Sequence, residues 1–210
     1  MTYSLDVTRN RKDPGLRRGE ILRATVARIE KHGVQPLRIA DVARDLDVSP
    51  ALVIYHFRTK EALIGDAFTW AVQRDLDRLA RLTAGSTTAL RRLTTALRWY
   101  GPTQGSKGWT LWIEGWAAAL RDPGMRTVGR ELDLRWKEAL GAIIQDGVSA
   151  GEFAVDDPRG AAWRITALLD GVAVQTVVHR DTRDREQTAV WSRQIVAREL
   201  GVEPSALEDA

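Results

Sequence analysis

Cysteine is absent from the 210 residues, which removes disulfide frameworks, thiolate nucleophiles and thiolate zinc sites together. Histidine is nearly as scarce. His32, His56 and His179 have no metal-ligand spacing, so no metal is expected, and no cofactor is expected either. No segment approaches the roughly 18 uninterrupted apolar residues of a membrane span. The stretch from Met1 to Arg23 is polar and arginine-bearing, without the apolar core of a secretory leader, so a cytoplasmic protein away from membranes is expected. No run alternates with period two, which argues against a sheet, and neither an internal repeat nor a low-complexity tract is present.

What is present is enough apolar sequence, 44% of residues, to bury a core, and a charge that is unevenly placed. Residues 1–60 carry 12 Lys and Arg against 7 Asp and Glu, whereas the remaining 150 carry 19 against 21. A basic head on a neutral body suits a polyanion partner, although ordinary solvated surfaces carry such excesses too.

Residues 1–15 are polar, basic and aperiodic and read as a flexible arm ending near Pro14-Gly15. Beyond them nearly everything has helical spacing. Ile21, Leu22, Thr25, Val26 and Ile29 define a first helix that Gly33 stops, and a short second helix follows from Ile39 to about Leu46. Ser49-Pro50 fits an N-cap with proline at the first helical position, opening a third helix through about Phe57. Thr59 can cap a fourth, with Glu61 suited to the positive end of its dipole. About five more helices are expected, broken at Gly85-Ser86, Gly101-Pro102, Asp122-Pro123-Gly124, Gly151 with Asp156-Asp157-Pro158, and Asp181 to Arg185.

Two short helices joined by a tight turn, behind a longer supporting helix, are the geometry that places the second helix in a major groove. Here Ala43 is small where the pair must cross, Val42, Leu46, Val48, Val53 and Phe57 supply the seam, and Asp47 stands in the turn, where a positive φ is often needed. The continuation Tyr55-His56-Phe57-Arg58-Thr59-Lys60-Glu61-Ala62-Leu63 resembles the end of the TetR-family DNA-binding domain, a Tyr, an aromatic or His, a Phe and then a Lys-Glu-x-Leu run. The resemblance covers Leu16 to about Phe68. It departs at Asp47, where the family usually has Gly, and at Arg38, where Thr or Ser is usual near a helix start.

The resemblance implies an all-α fold of about nine helices: a helix-turn-helix domain over residues 16–60 and a helical ligand-binding and dimerisation domain over 61–210. Docked as in that family, Ser49, Pro50, Ala51, Leu52 and Ile54 would face base edges through thymine-methyl and shape contacts. Tyr55 and His56 would donate to phosphate oxygens, and Lys60, beside a helix N-terminus, would hold a phosphate together with backbone N–H groups. Arg38 joins this candidate DNA-binding set, while Phe57 is read as core. Arg9, Arg11, Lys12, Arg17 and Arg18 either reach DNA from the arm or form a solvated charge run.

All eight tryptophans lie beyond residue 69. Trp109, Trp112 and Trp116, spaced i, i+3, i+7, share one helical face that is either core or the wall of a ligand site. The segment WIEGWAAALRDPGMR is similar to the regulatory domains of the TetR subgroup that includes choline-responsive repressors. That likeness implies aromatic walls holding a cation, with Glu114 or Asp170 as counter-charge. Ala161, Ile165, Leu168, Val172 and Thr176, with Trp191, Ile195 and Val196, form apolar stripes on the last two helices. By resemblance these would pair with their twofold mates in a homodimer, and intrachain packing is the competing reading.

Gly147-Val148-Ser149-Ala150-Gly151 matches the nucleophile-elbow pattern, but the elbow needs a strand before its serine, and this serine follows helical sequence. No enzyme is expected. The expected function is a ligand-responsive transcriptional regulator that binds a palindromic DNA operator as a dimer and is released by a small molecule. The alternative is a helical small-molecule-binding protein without DNA binding.

Overall fold

The computed structural model describes residues 14–84, 88–101, 107–179 and 185–208. Arg9, Arg11 and Lys12 of the expected arm lie outside these residues, as do Gly85-Ser86 and most of the break at Asp181 to Arg185. The described residues form nine α-helices and one short 3-10 turn, with no strand. None of these helices is long and apolar enough to cross a membrane.

Helix α1 (Pro14–His32) begins at Pro14, so Pro14-Gly15 make its first turn. Proline is well placed there, because a helix leaves its first N–H groups unpaired. α1 buries Ile21, Leu22, Thr25 and Ile29, with Val26 half-buried against them. It stops at Gly33, whose φ of +84° is a left-handed conformation natural to glycine.

α2 (Ile39–Asp45) and α3 (Pro50–Phe57) are joined through Asp47, whose φ is +52°. The Ser49 hydroxyl caps α3 by accepting from Leu52 N at 3.3 Å, whereas Arg38 begins α2 without any side-chain cap. Val42, Ala43, Val53 and Phe57 are buried in the seam, with Leu46 and Val48 packed beside them. α4 (Lys60–Thr83) is capped by Thr59, which accepts from Ala62 N at 3.1 Å. Between α3 and α4, Arg58 has φ +66° and ψ −53°, and Thr59 N donates to Phe57 O at 2.8 Å. That is the rare γ-turn, a strained conformation for a residue with a side chain.

The body adds α5 (Ala89–Tyr100), α6 (Lys107–Ala119), α7 (Pro123–Ser149), α8 (Pro158–Val177), α9 (Arg185–Leu200) and the 3-10 turn Pro204–Leu207. α7, 27 residues and so about 40 Å long, is the central post against which α4, α5, α6 and α8 pack. Asp122 and Asp157 cap α7 and α8, each with proline at the first helical position. α4 packs on α1 and α3 at one end and on α5 and α7 further along, so it ties head to body.

Gly147 lies inside α7, where a Cβ would meet the Phe153 ring at 2.1 Å, and Gly151 follows the helix end with φ +72°. Packing and helix termination thus account for both glycines of the elbow-like pattern. The α8 stripe divides: Ala161 and Ile165 are buried within this chain, while Leu168, Val172 and Thr176 are half-buried. On α9, Val196 is buried, whereas Trp191 and Ile195 face outward, as do Trp163 and Val178 on and just beyond α8.

Candidate nucleic-acid interface and aromatic cluster

The expected DNA-facing residues lie on or beside α2, α3 and the start of α4, and none of them is buried. Arg38, Ser49, Pro50, Ala51, Ile54 and Tyr55 are exposed, and Leu52, His56 and Lys60 are half-buried. Tyr55 is 79% exposed and so takes no part in the core. Its ring meets His56 edge-on at 5.4 Å. Burial, then the nearby Arg18 and Arg17, hold the His56 pKa below its ordinary value, so at neutral pH it is an uncharged ring.

Lys60 is anchored: its Nζ donates to Gln35 O at 3.1 Å, which fixes the ammonium between the α1–α2 loop and the start of α4. Arg17 pairs with Glu20 at 2.7 Å. Arg18 pairs with Asp66 at 2.6 Å and lies over the Phe57 ring at 4.9 Å. Both arginines therefore have partners within the chain, and Arg18 and Asp66 remain exposed at the surface. Arg28 grips Asp45 through two hydrogen bonds of 2.6 and 2.9 Å, holding α2 against α1.

In the body, Trp109 and Trp112 are buried and Trp116 half-buried, and they extend into a larger ring system. Trp112 meets Trp116 at 6.2 Å, Trp116 meets Trp109 at 6.4 Å, and Trp109 meets Tyr100 at 4.6 Å. Tyr100 then meets Trp136 at 4.5 Å, and Trp136 stacks on Trp99 at 5.8 Å. Six rings from α5, α6 and α7 thus run in series. The i, i+3, i+7 stripe found three of them. Tyr100, Trp99 and Trp136 come from other helices, and no local spacing marks them.

Three carboxylates are near enough to Tyr100 for their charge to act on its hydroxyl. Burial pushes the Tyr100 hydroxyl well above its ordinary pKa, and Asp170, Asp133 and Asp75 add to the effect. Burial also raises Asp170 to about 6, with Asp133 adding and Lys137 opposing. Asp75 is pushed up to about 6 by burial, with Arg78 and Arg74 opposing and Glu30 adding. Asp133 pairs directly with Lys137, whose ammonium lies 4.0 Å over the Trp163 ring. Asp75 and Asp170 make no direct ion pair among the described residues.

A carboxyl whose folded pKa is raised takes up its proton more readily in the folded chain. Between about pH 4 and 6 the folded state therefore binds the extra protons, and these groups' contribution to stability falls as pH rises through that window. Asp75→Asn and Asp170→Asn should each raise the melting temperature at pH 7.5 and change it much less at pH 4.5. Thermal scans at the two pH values check this, and equal shifts at both would remove the buried-charge account.

Glu114 is not a counter-charge of this cluster. Its Oε2 accepts the backbone N–H of Val34 at 2.8 Å, and a Cβ on Gly33 would lie 3.1 Å from both carboxylate oxygens. The helix that carries three tryptophans thus holds the C-terminal end of α1 through one side chain. The next residue, Gly115, lets α6 close on Phe68 of α4. Asp170, the other expected counter-charge, acts on the Tyr100 hydroxyl through its charge, as do Asp133 and Asp75, which no sequence pattern marks.

A separate cavity of about 230 Å³ lies among α5, α8, α9 and the 3-10 turn. Its polar groups are internally satisfied: Thr94 donates to Leu90 O, Ser192 to Thr188 O, and Arg193 pairs with Glu208. The aromatic cluster, with Asp75 and Asp170 making no ion pair among the described residues, is the stronger candidate for a ligand.

Comparison with known proteins agrees with this geometry. Residues 21–67 match the model for bacterial regulatory proteins of the tetR family, and residues 67–201 match that for the C-terminal part of BetI-type transcriptional repressors. The HTH-type transcriptional regulator BetI of Cronobacter sakazakii is 23% identical over 204 residues, covering 92% of this chain and 96% of its own. The BetI of Escherichia coli O127:H6 is 26% identical over 195 residues, covering 88% and 94%. Among solved structures, a Saccharomonospora viridis protein described as a transcriptional regulator, in complex with choline, superposes with a TM-score of 0.79 at 24% identity. That match covers 89% of this chain and 98% of the other. A TetR-family protein from Rhodococcus sp. gives a TM-score of 0.75 at 25% identity, covering 89% and 99%. With an exposed helix-turn-helix surface, a helical body and family matches that together run from residue 21 to 201, the chain belongs to the TetR family of bacterial regulatory proteins, with a C-terminal body of the BetI type.

Proposed function

We propose that this chain is a transcriptional repressor that binds a palindromic operator as a homodimer and releases it when a small organic cation, of the quaternary ammonium class, occupies the aromatic cluster. Residues 16–60 read DNA and 61–210 sense the cation and dimerise. The observation that carries the reading is the series of six rings set against Asp75, Asp133 and Asp170. Aromatic faces attract cations, and a cation relieves carboxylates that burial otherwise drives toward protonation. The choline held by the Saccharomonospora viridis relative fits that class. The family is one of regulators, so no catalytic role is assigned.

On the DNA side, Tyr55 and Lys60 position the head on phosphates, while Ala51 and Ile54 meet base edges. Coupling follows α6: a cation that shifts this helix moves Glu114 against Val34 and Gly115 against Phe68, biasing the spacing of the two recognition helices away from about 34–36 Å.

The test is a binding selection on genomic fragments, followed by titration of the selected duplex. Affinity should fall with salt. Tyr55→Phe should weaken binding by about tenfold on every duplex, having removed one charge-assisted hydrogen bond, and leave the ranking of sequences intact. Choline should weaken operator binding by roughly 5–150-fold, and the operator should weaken choline binding by the same factor. A folded chain that binds no duplex, or that binds choline without this reciprocity, overturns the reading.

A further inference from the structure

Trp136 occupies the interior of the ring series, between Trp99 and Tyr100, and is 3% exposed. Its indole Nε1 is buried and has no hydrogen-bond partner among the described residues. Trp109, in the same cluster, differs: its Nε1 donates to Tyr100 O at 2.9 Å. The neighbouring charged group on α7, Asp133, is occupied by Lys137. A buried indole N–H normally has an acceptor, because leaving it unpaired forfeits the hydrogen bond it made with water.

We infer that Trp136 Nε1–H is the donor by which the aromatic cluster recognises its effector, so that the effector carries an uncharged acceptor oxygen, a hydroxyl or ether, close to its cationic centre. This rests on the cluster being the cation site. The oxygen is uncharged because Asp170 and Asp75, which make no ion pair among the described residues, both act on Tyr100 beside Trp136, and a carboxylate brought next to that ring would meet their repulsion. The rings select for positive charge, the aspartates select against a zwitterion, and Trp136 distinguishes a hydroxylated cation from an alkyl one. A polar group placed to meet a ligand oxygen discriminates against the analogue that lacks it.

Three probes separate these contributions in the full-length chain. Choline carries the hydroxyl, propyltrimethylammonium replaces it with a methyl group of similar shape, and glycine betaine replaces it with a carboxylate. Calorimetry on the wild type should give choline about tenfold tighter binding than propyltrimethylammonium, the value of one net hydrogen bond. Glycine betaine should bind weakest. Trp136→Phe, which keeps an aromatic ring and removes the N–H, should bind choline and propyltrimethylammonium alike. A second readout needs no variant: in wild type labelled with ¹⁵N at tryptophan, one indole resonance should move with choline and stay in place with propyltrimethylammonium. If the wild type binds both alkylammonium probes equally and the indole spectrum answers both alike, Trp136 is not the donor, while the cation site stands. If neither probe binds, the cation site falls and takes the inference with it.

Discussion

Gly115→Ala should destabilise the folded chain by roughly 2–3 kcal/mol, a fall in melting temperature of about 5–10 °C for a domain of this size. A Cβ at this position would stand 2.4 and 2.8 Å from two ring carbons of Phe68. Phe68 is 2% exposed on α4, so its ring has no free space to enter. Either the ring leaves its rotamer or α6 lifts from α4, and both disturb a core packed to crystalline density. Phe68→Leu creates room at the same point at the cost of a cavity. The double variant Gly115→Ala, Phe68→Leu should therefore be more stable than the sum of the single losses predicts, with an interaction of about 1–2 kcal/mol. Strict additivity would show that the two residues do not meet. The functional consequence concerns α6: lifted from α4, it also loosens the Glu114 grip on Val34, so the factor by which effector weakens operator binding should shrink toward one.

If the proposed homodimer uses the exposed apolar residues of α8 and α9, Ile195→Asp and Val178→Asp should each give a folded monomer and lower operator affinity on the order of 100-fold, because linked half-sites contribute through effective concentration. Both positions are about half exposed in the single chain, 48% and 52% respectively, so a charge there meets water in the monomer and apolar surface only in the dimer. Leu168, half-buried within its own chain, would confuse lost dimerisation with lost folding. Sedimentation and melting temperature, measured together, make the distinction. Variants that remain dimeric and bind the operator normally would place the twofold contact on another face.

The head was legible because its determinants are local. Ser49-Pro50 and Thr59 announce helix starts by chemistry that acts within one turn, and Gly33 and Asp47 announce positive φ. Arg58 escaped notice, since no property of arginine signals a γ-turn; the conformation is imposed by packing on both sides. In the body, periodicity recovered the three tryptophans of α6 but could not assemble the site around them. Asp75, Trp99, Tyr100, Asp133 and Trp136 reach it from three other helices, and only tertiary packing sets their register. Glu114 misled for a related reason. Between two tryptophans it reads as a counter-charge, yet helical geometry turns it away from their face, toward a backbone N–H eighty residues distant in sequence.

The mounting of α3 has a consequence for how such regulators acquire new operators. The helix is held by a serine cap, by Val53 and Phe57 sunk in the seam, and by backbone bends at Asp47 and Arg58 on either side. None of these attachments uses the side chain of Ala51 or Ile54, both of which project into solvent. Text and binding are therefore separate: the outward letters can be rewritten without recutting the spine. On the proposed docking, substitutions at these positions alone would carry a duplicated copy to a different operator, with no compensating change in its core.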